Sequence, residues 1–231
     1  MSTELAIRDA TPWDMNTAAG VLASAALVSP IGRWLESNAV CGVLLFERFR
    51  TVVADGVRHG VVRVVEVSGG TVAVAVWLPC SQQSVFFAEP TWPGPDASGF
   101  ARRLFKLDRA LVERHPVAAH EHLAYLGTLP AHQQRGIGTR LITEPRRFIT
   151  GSGPRYVTVP GELARRSFQR HGYEADEEPI VIADYPIELW PLWRREVVVP
   201  EPQSPVNQAG HRFSAAAGRL IDVGRHLRGK Q

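Results

Sequence analysis

The order of apolar and polar residues separates strands from helices along most of this chain. Residues 61–67 and 71–79 are rich in β-branched side chains and are joined by Ser-Gly-Gly, which predicts a β-hairpin that ends at Pro79. Residues 100–115 carry apolar side chains at helical spacing and predict an amphipathic helix. Residues 122–130 form an apolar run closed by a proline, which is typical of a buried strand. Strand-like and helix-like patterns both occur along the chain, so together they predict a mixed α/β domain.

The remaining segments are shorter, and the pattern assigns each of them one element. The predicted helices include one after residue 136 that is kinked or ended by Pro145 and one that stops at Gly172. Pro and Gly residues predict a loop between the hairpin and the amphipathic helix. The predicted helices lie at 11–27, 31–54, 137–150 and 161–171, the loop at 86–99, and the strands at 5–10, 155–160, 173–182 and 187–199.

The last part of the chain has a different character from the rest. Residues 198–208 are rich in proline and predict a linker, and the residues after them place apolar side chains on one face of a basic helix. We therefore predict a domain at 1–197 and an appendage at 198–231. The sequence leaves three roles for that helix open: docking on its own domain, forming a homodimer, or staying loose. An anionic partner such as a nucleic acid is the less favoured reading of its charge, and a solvated surface is the favoured one.

Composition narrows the class of protein without naming it. The chain has 231 residues, 45% of them hydrophobic, a formal net charge of +3 and only two cysteines. The sequence has no apolar run long enough for a membrane span and no signal-peptide pattern at its start, so we expect a cytoplasmic protein with no membrane partner. Neither cysteine has a CxxC partner or a clear His/Cys cluster in the sequence, so we expect no disulfide framework and no metal site.

The most informative stretch is His-Gln-Gln-Arg-Gly-Ile-Gly at residues 132–138. Gly136 and Gly138 stand between a predicted strand and a predicted helix, where amides in a tight turn and the helix start favour a bound diphosphate. A Walker loop is excluded because no lysine follows the glycines, and a Rossmann fingerprint is excluded because its third glycine would be Leu141. A glycine turn without a ligand remains the alternative at this point.

These residues resemble a known family. Gln133 to Gly138 matches the Q/R-x-x-G-x-G/A signature of the GCN5-related N-acetyltransferases (GNAT), and residues 115–142 are similar to the central core of puromycin N-acetyltransferase-like members from actinomycetes. The resemblance covers residues 5–197. It implies a mixed, mostly antiparallel α/β sheet with helices on both faces, in which the fourth and fifth strands splay apart.

The resemblance also implies a cofactor, acetyl-CoA, and the main-chain groups that hold it. The pantetheine arm is expected between the splayed strands, and the amide of Thr128 is expected to stabilise the oxyanion of the thioester. The implied contacts to the pantetheine arm are the backbones of Leu126, Gly127 and Thr128. The implied contacts to the pyrophosphate are the amides of Gln134, Arg135, Gly136, Ile137, Gly138 and Thr139.

The sequence departs from the family where proton transfer is expected. Phe168 stands where the family has a tyrosine that protonates the leaving thiolate, Ala164 replaces an asparagine, and Thr158 replaces a glutamate. Compensating candidates lie on the fourth strand. His120 and His122 are expected on one side of it and Tyr125 on the other, and a histidine there would take the amine proton near neutral pH. A structural role is the alternative for each of them.

The function expected from this resemblance is acetyl-CoA-dependent N-acetylation of a small amine, such as an antibiotic or a secondary metabolite. Aromatic residues near Trp34, at 86–92 and at 190–193 are expected to line the acceptor pocket, although core packing explains each of them equally well. Two alternatives stay open. One is a CoA-binding module with weakened catalysis, and the other is a transferase that uses another acyl-CoA or an aminoacyl-tRNA.

Overall fold

One six-stranded sheet, with its strands in sequence order, forms the centre of the molecule. The computed structural model describes residues 5–35, 39–81, 90–143, 153–175, 178–185 and 188–195. Neighbouring strands are antiparallel, except for the fourth and fifth, which are parallel. The strands are β1 (Leu5–Asp9), β2 (Val61–Val67), β3 (Gly70–Cys80), β4 (His120–Thr128), β5 (Arg155–Pro160) and β6 (Leu189–Arg194).

Helices cover both faces of this sheet, as the sequence predicted. One hydrophobic cluster joins the sheet to the first four helices, and a second cluster joins its other face to the last two. No helix in the described part of the chain is long and apolar enough to cross a membrane. The helices are α1 (Met15–Val28), α2 (Pro30–Trp34), α3 (Ala39–His59), α4 (Gly99–Glu113), α5 (Ile137–Thr143) and α6 (Gly161–Gln169).

Strand β3 shows how the sequence divides the core into two layers. Val74 and Val76 belong to the first cluster, whereas Ala75 and Trp77 belong to the second. Successive side chains of a strand point to opposite faces, so a strand covered on both sides is apolar at every position. The near-continuous apolar run of the predicted hairpin is therefore explained by burial on both faces.

The predicted hairpin turn is present. Ser68 and Gly69 have φ angles of +52° and +79°, the left-handed pair that a two-residue turn needs to match the twist of its strands. Strand β3 continues to Cys80, one residue beyond the predicted end at Pro79. The predicted stop of α6 is also confirmed, because Gly172 has a φ of +78° and its amide donates to the carbonyl of Gln169.

Three predicted elements differ from the structure. The helical region predicted at 31–54 is two helices, and α3 extends to His59. The strand predicted at 173–182 is reduced to isolated bridges of Glu174 with Trp193 and of Ile180 with Leu189, in a segment whose acidic residues and proline favour no regular ladder. Of the closing strand predicted at 187–199, the described residues 188–195 form a strand at Leu189–Arg194. The helix beyond Thr143, the loop at 86–89 and the appendage at 198–231 lie outside the described residues.

The corner between α1 and α2 leaves no room for a side chain at Gly32. The Ser29 hydroxyl accepts a hydrogen bond from the amide of Gly32 at 3.0 Å and starts α2. A Cβ atom at Gly32 would lie 1.9 Å from the carbonyl oxygen of Ala26. Only glycine therefore permits the end of α1 and the start of α2 to pack this closely.

Gly32→Ala should lower the free energy of unfolding by about 1–3 kcal/mol, because the backbone of α1 or α2 has to shift. Gly20→Ala is the matched control, since no atom lies within 4 Å of a Cβ at that position of α1. It should raise stability by roughly 0.5–1 kcal/mol through helix propensity. Urea denaturation of both variants measures the difference, and equal stabilities would contradict the close packing described above.

Candidate functional site

Strands β4 and β5 are joined only where they begin. Glu121 pairs with Arg155 and His122 with Tyr156, and the amide of Glu121 donates to the carbonyl of Pro154. Beyond these pairs, the edge of β4 that faces β5 has no strand partner among the described residues. The predicted splay is thus confirmed. It leaves main-chain donors and acceptors of β4 open to a ligand.

A cavity of about 410 Å³ lies against this gap. Its walls come from the first four helices on one side and from β4, β5 and β6 on the other, and most of its lining side chains are apolar. The lining residues include Leu22, Ala25, Ile31, Leu35, Leu45, Arg48, Phe49, Leu104, Leu107, Asp108, Leu111, His115, His122, Ala124, Tyr125, Leu126, Gly127, Thr128, Gln133, Thr158, Pro160 and Leu189. A volume of this size suits a small organic molecule.

A bulge in β4 decides which side chains reach the cavity. Leu123 pairs with Trp77 and Tyr125 with Val76, so Ala124 is the extra residue and the register shifts there. His122 and Tyr125 therefore both line the cavity. The expectation that Tyr125 points away from His122 was wrong, because strict alternation does not survive a bulge.

An ion pair crosses the cavity wall between α3 and α4. The Arg48 guanidinium donates to both carboxylate oxygens of Asp108, at 2.9 and 2.7 Å, and to the Tyr125 hydroxyl at 3.3 Å. Tyr125 and Asp108 raise the pKa of Arg48 against the opposing effect of burial. Burial raises the pKa of Asp108, and the charge of Arg48 works against that rise. Arg48 therefore holds the Tyr125 hydroxyl in place, and both carboxylate oxygens of Asp108 accept hydrogen bonds from the same guanidinium.

Three histidines cluster at the start of β4. The ring of His115 lies 5.0 Å from those of both His120 and His122. Burial lowers the pKa of His115 to about 4, lowers that of His120, and lowers that of His122 well below its ordinary value. His115 and His122 also line the cavity, whereas His120 does not. The neutral imidazoles therefore present ring nitrogens, and no positive charge, to a bound molecule.

His115 is the site residue that sequence reasoning missed. It follows α4 in a loop, where its amide donates to the carbonyl of Val112, whereas the sequence placed it at the end of the predicted helix. The only signal available was its position between a helix and the strand that carries the other two histidines. His120 is fixed from the same loop, because its Nδ1 lies 2.7 Å from the carbonyl oxygen of Ala118.

Cys80 completes a group that the sequence did not reveal. One ligand atom each from Cys80, His115 and His120 lie within 4.8 Å of one another. The expectation of no Cys/His cluster was therefore wrong, since three separate elements supply its members. Within the described ranges no fourth donor joins the group, and a closed structural zinc site needs four. We assign this cluster no metal. Burial raises the pKa of the Cys80 thiol to about 12, so it stays protonated.

The predicted diphosphate loop follows β4. Gln134 and Gly136 have φ angles of +61° and +74°. The amides of residues 134–139 donate to no acceptor in the part of the chain that the structure describes, and residues 133–136 are exposed. A side chain at Gly138 would extend toward Leu126 and Thr128, so the loop approaches the end of β4 closely. These open amides fit a bound anion.

The positions that depart from the family pattern do not all face the cavity. Thr158 lines it and donates to the Tyr156 hydroxyl at 3.0 Å. Phe168 is buried in the second hydrophobic cluster, edge-on to Tyr173 with ring centroids 5.2 Å apart. Ala164 packs against the same cluster, and neither Phe168 nor Ala164 lines the cavity. A tyrosine in place of Phe168 would therefore meet core side chains rather than a cavity.

Comparison with known proteins identifies the architecture. An acetyltransferase from Corynebacterium glutamicum, titled histone acetyltransferase HPA2 and related acetyltransferase, has a TM-score of 0.59 at 19% identity over 84% of this chain and 97% of its own. A polyamine N-acetyltransferase from Drosophila melanogaster has a TM-score of 0.58 at 18% identity over 84% of this chain and 100% of its own. The chain has the GNAT fold.

A third GNAT-fold neighbour was solved with a cofactor. The PaiA N-acetyltransferase from Thermoplasma acidophilum, in complex with coenzyme A, has a TM-score of 0.54 at 9% identity over 83% of this chain and 99% of its own. No protein-family model matches the sequence, and no curated protein is significantly similar to it. At such low identities the likeness establishes the fold alone.

Acid should destabilise the fold through the buried histidines. Because burial lowers their pKa, the unfolded chain binds more protons than the folded chain between about pH 6.5 and pH 4, so stability should fall as the pH drops through that window. We expect a loss on the order of 1–3 kcal/mol, measured by urea denaturation at several pH values.

His115→Gln should flatten this dependence, since it removes one of the titrating groups. His59→Gln, at the exposed end of α3, is the control and should keep the slope of the unmodified protein. A free energy of unfolding that stays constant or rises from pH 6.5 to pH 4 would show that these imidazoles are not buried as described.

Proposed function

We propose that this protein is an acyl-CoA-dependent N-acyltransferase that transfers an acetyl group from acetyl-CoA to the amine of a small molecule. The observation that carries the proposal is the gap between β4 and β5, which opens directly into the cavity and lies beside the open amides of residues 134–139. The GNAT fold supports it, since the fold neighbours include acetyltransferases and one structure with coenzyme A.

The donor would lie along the free edge of β4. We assign the pantetheine arm to the backbone of Leu126, Gly127 and Thr128, and the diphosphate to the amides of residues 134–139, with Arg135 and Arg140 adding positive charge. The fit is supported by the left-handed turn at Gly136 and by the unused amides. The exposed side chain of Gln133 donates to the Thr128 carbonyl at 3.0 Å and would give way to the arm.

The reaction needs a proton acceptor, a site for developing negative charge and a route for the thiol proton. Acetyl-CoA supplies an activated thioester whose carbonyl the amine attacks. We assign the amine proton to a neutral imidazole, His122, because it lines the cavity, and we assign His115, which also lines it, and His120 the role of positioning residues. The Thr128 amide would stabilise the oxyanion, a contribution of about 3 kcal/mol. Tyr125, held by Arg48, would return a proton to the thiolate.

Two further functions were open from the sequence, and one of them has a structural observation behind it. Phe168 lies in the core and has no proton to give, which favours a CoA-binding module with slow or absent catalysis. The use of an aminoacyl-tRNA rests on the basic residues after 198, which lie outside the described part of the chain. The cytoplasmic location, the puromycin-like subtype and an antibiotic or secondary-metabolite role remain part of the proposal.

Replacing Gly136 should weaken cofactor binding with little effect on folding. Alanine fits the space at this position, but a left-handed φ costs it roughly 1–2 kcal/mol, and relaxing that strain reorients the amides. We expect Gly136→Ala to bind CoA about tenfold more weakly in calorimetry. Gly94→Ala, which has the same kind of φ in a loop that does not line the cavity, should bind CoA normally. No measurable CoA binding by the unmodified protein would refute the proposed donor site.

Replacing His122 should slow transfer without affecting CoA binding. His122→Ala should lower kcat/KM about 100-fold or more, because proton removal is lost, and added imidazole should restore part of the rate. Release of the CoA thiol measures turnover, and His59→Ala is the control because His59 is exposed on α3. Turnover by the unmodified protein would exclude the binding-module alternative, whereas full activity of His122→Ala would reject this histidine as the proton acceptor.

A further inference from the structure

Apolar side chains form most of the cavity wall on the helix side, where Arg48, Asp108 and Ser29 are the polar exceptions. Leu104, Leu107 and Leu111 come from one face of α4, and Leu45 and Phe49 come from α3. Leu22, Ala25 and Ala26 of α1, Ile31 and Gly32 of α2, and Leu35 complete this wall. A molecule bound here exchanges water for apolar side chains over most of its surface, so its body gains binding energy in proportion to its own apolar area.

The charges around the cavity cancel. Apart from the histidines, the ionisable lining residues are Arg48, Asp108 and Tyr125. Asp108 is the only carboxylate among the lining residues that the structure describes, and its two oxygens accept from the two terminal nitrogens of Arg48. The negative charge of this carboxylate is therefore already balanced by the guanidinium of Arg48. An ammonium taken out of water without a counter-charge loses several kcal/mol of solvation.

The histidine ring nitrogens are the proton acceptors among the remaining polar groups of the cavity, which also include Ser29, Thr128, Gln133 and Thr158. His115 and His122 line it, and burial keeps both rings neutral at pH 7. A neutral imidazole accepts one hydrogen bond and offers no full negative charge. This end of the cavity therefore suits a single amine nitrogen that must lose its proton to react. None of the other lining residues in the described part of the chain offers an unbalanced negative charge to a second nitrogen.

From this distribution we infer that the acceptor is a monoamine with an apolar body, and that polyamines are excluded. The inference rests on the proposed function, because it names the acceptor class of that same site. The Drosophila neighbour is named as a polyamine N-acetyltransferase, but it is similar to this chain in fold only. Among the lining residues that the structure describes, the one carboxylate that could attract a polycation, Asp108, already has its charge balanced by Arg48.

Two ligands that differ only in the second nitrogen test the inference. Hexylamine and 1,6-diaminohexane are titrated by calorimetry into the full-length protein saturated with CoA. We expect hexylamine to bind saturably, and the diamine to bind about 100-fold more weakly because its second ammonium has no partner. Equal or tighter binding of the diamine would overturn the inference, as would an absence of hexylamine binding at millimolar concentration.

A charge placed in the wall should reverse the preference. Leu111→Glu adds a carboxylate to the part of the cavity wall that α4 forms. We expect the diamine to bind at least about tenfold more tightly to this variant, while hexylamine binds more weakly. Leu163→Glu is the matched control, since Leu163 is 83% exposed on α6 and does not line the cavity. An unchanged preference in a folded Leu111→Glu variant would count against the inference, and the two-ligand comparison on the unmodified protein decides it if that variant does not fold.

The same samples separate this inference from the proposed function. After hexylamine binding is measured, CoA is exchanged for acetyl-CoA and release of the thiol is followed. Binding of hexylamine without thiol release would contradict the proposed transferase and would still support an apolar monoamine site. Thiol release with the diamine but not with hexylamine would support the transferase and overturn the acceptor class.

Discussion

The structure depends on one strand edge. This is the side of β4 that the described residues of β5 leave unpaired beyond His122. Backbone amides and carbonyls inside a protein need hydrogen-bond partners, and a strand edge normally finds them in the next strand. Here β5 diverges and the cavity takes its place, so polar backbone lines one side of an otherwise apolar space. A ligand with its own amides, lying in extended form, satisfies such an edge as a strand would.

The packing of α1 on β4 and a bulge in that strand bring the groups of the site together. At Gly127 helix α1 lies so near the strand that a Cβ atom there would be 3.0 Å from Leu22 and 3.1 Å from Ala25. The missing side chain lets α1 lie directly on the strand. The bulge at Ala124 then turns Tyr125 to the same face as Gly127 and His122. Close helix packing and a single extra residue thus place the backbone edge, a hydroxyl and an imidazole around one space.

Much of this could be predicted from the sequence, and what could not follows a physical rule. The hairpin and the glycine loop were predictable because their signals are local: β-branched runs around a turn, and glycines that accept positive φ. The side on which Tyr125 lies was not, since it depends on the register with β3. The pairing of Arg48 with Asp108 was not predictable either, because the two residues lie 60 positions apart in the chain.

The histidine cluster shows the same limit more sharply. His120 and His122 were visible as a pair on one strand, but their environment depends on residues from other elements. Cys80 lies opposite His120 in the sheet, and His115 reaches the group from the loop after α4. Whether an imidazole is a charged surface group or a neutral buried one is decided by such neighbours, and that difference determines whether it can accept a proton.

The ion pair of Arg48 and Asp108 is best understood as a device of geometry rather than of stability. A half-buried ion pair recovers little more than the solvation it loses, so leucines at both positions would hold α3 to α4 about as well. Leucines would give Tyr125 no donor, however, and its hydroxyl now receives a hydrogen bond from Arg48. A lone carboxylate at Asp108 would make the cavity attract every cation. The pair therefore orients a hydroxyl inside an apolar space while leaving that space without net charge, and both properties follow from the same two side chains.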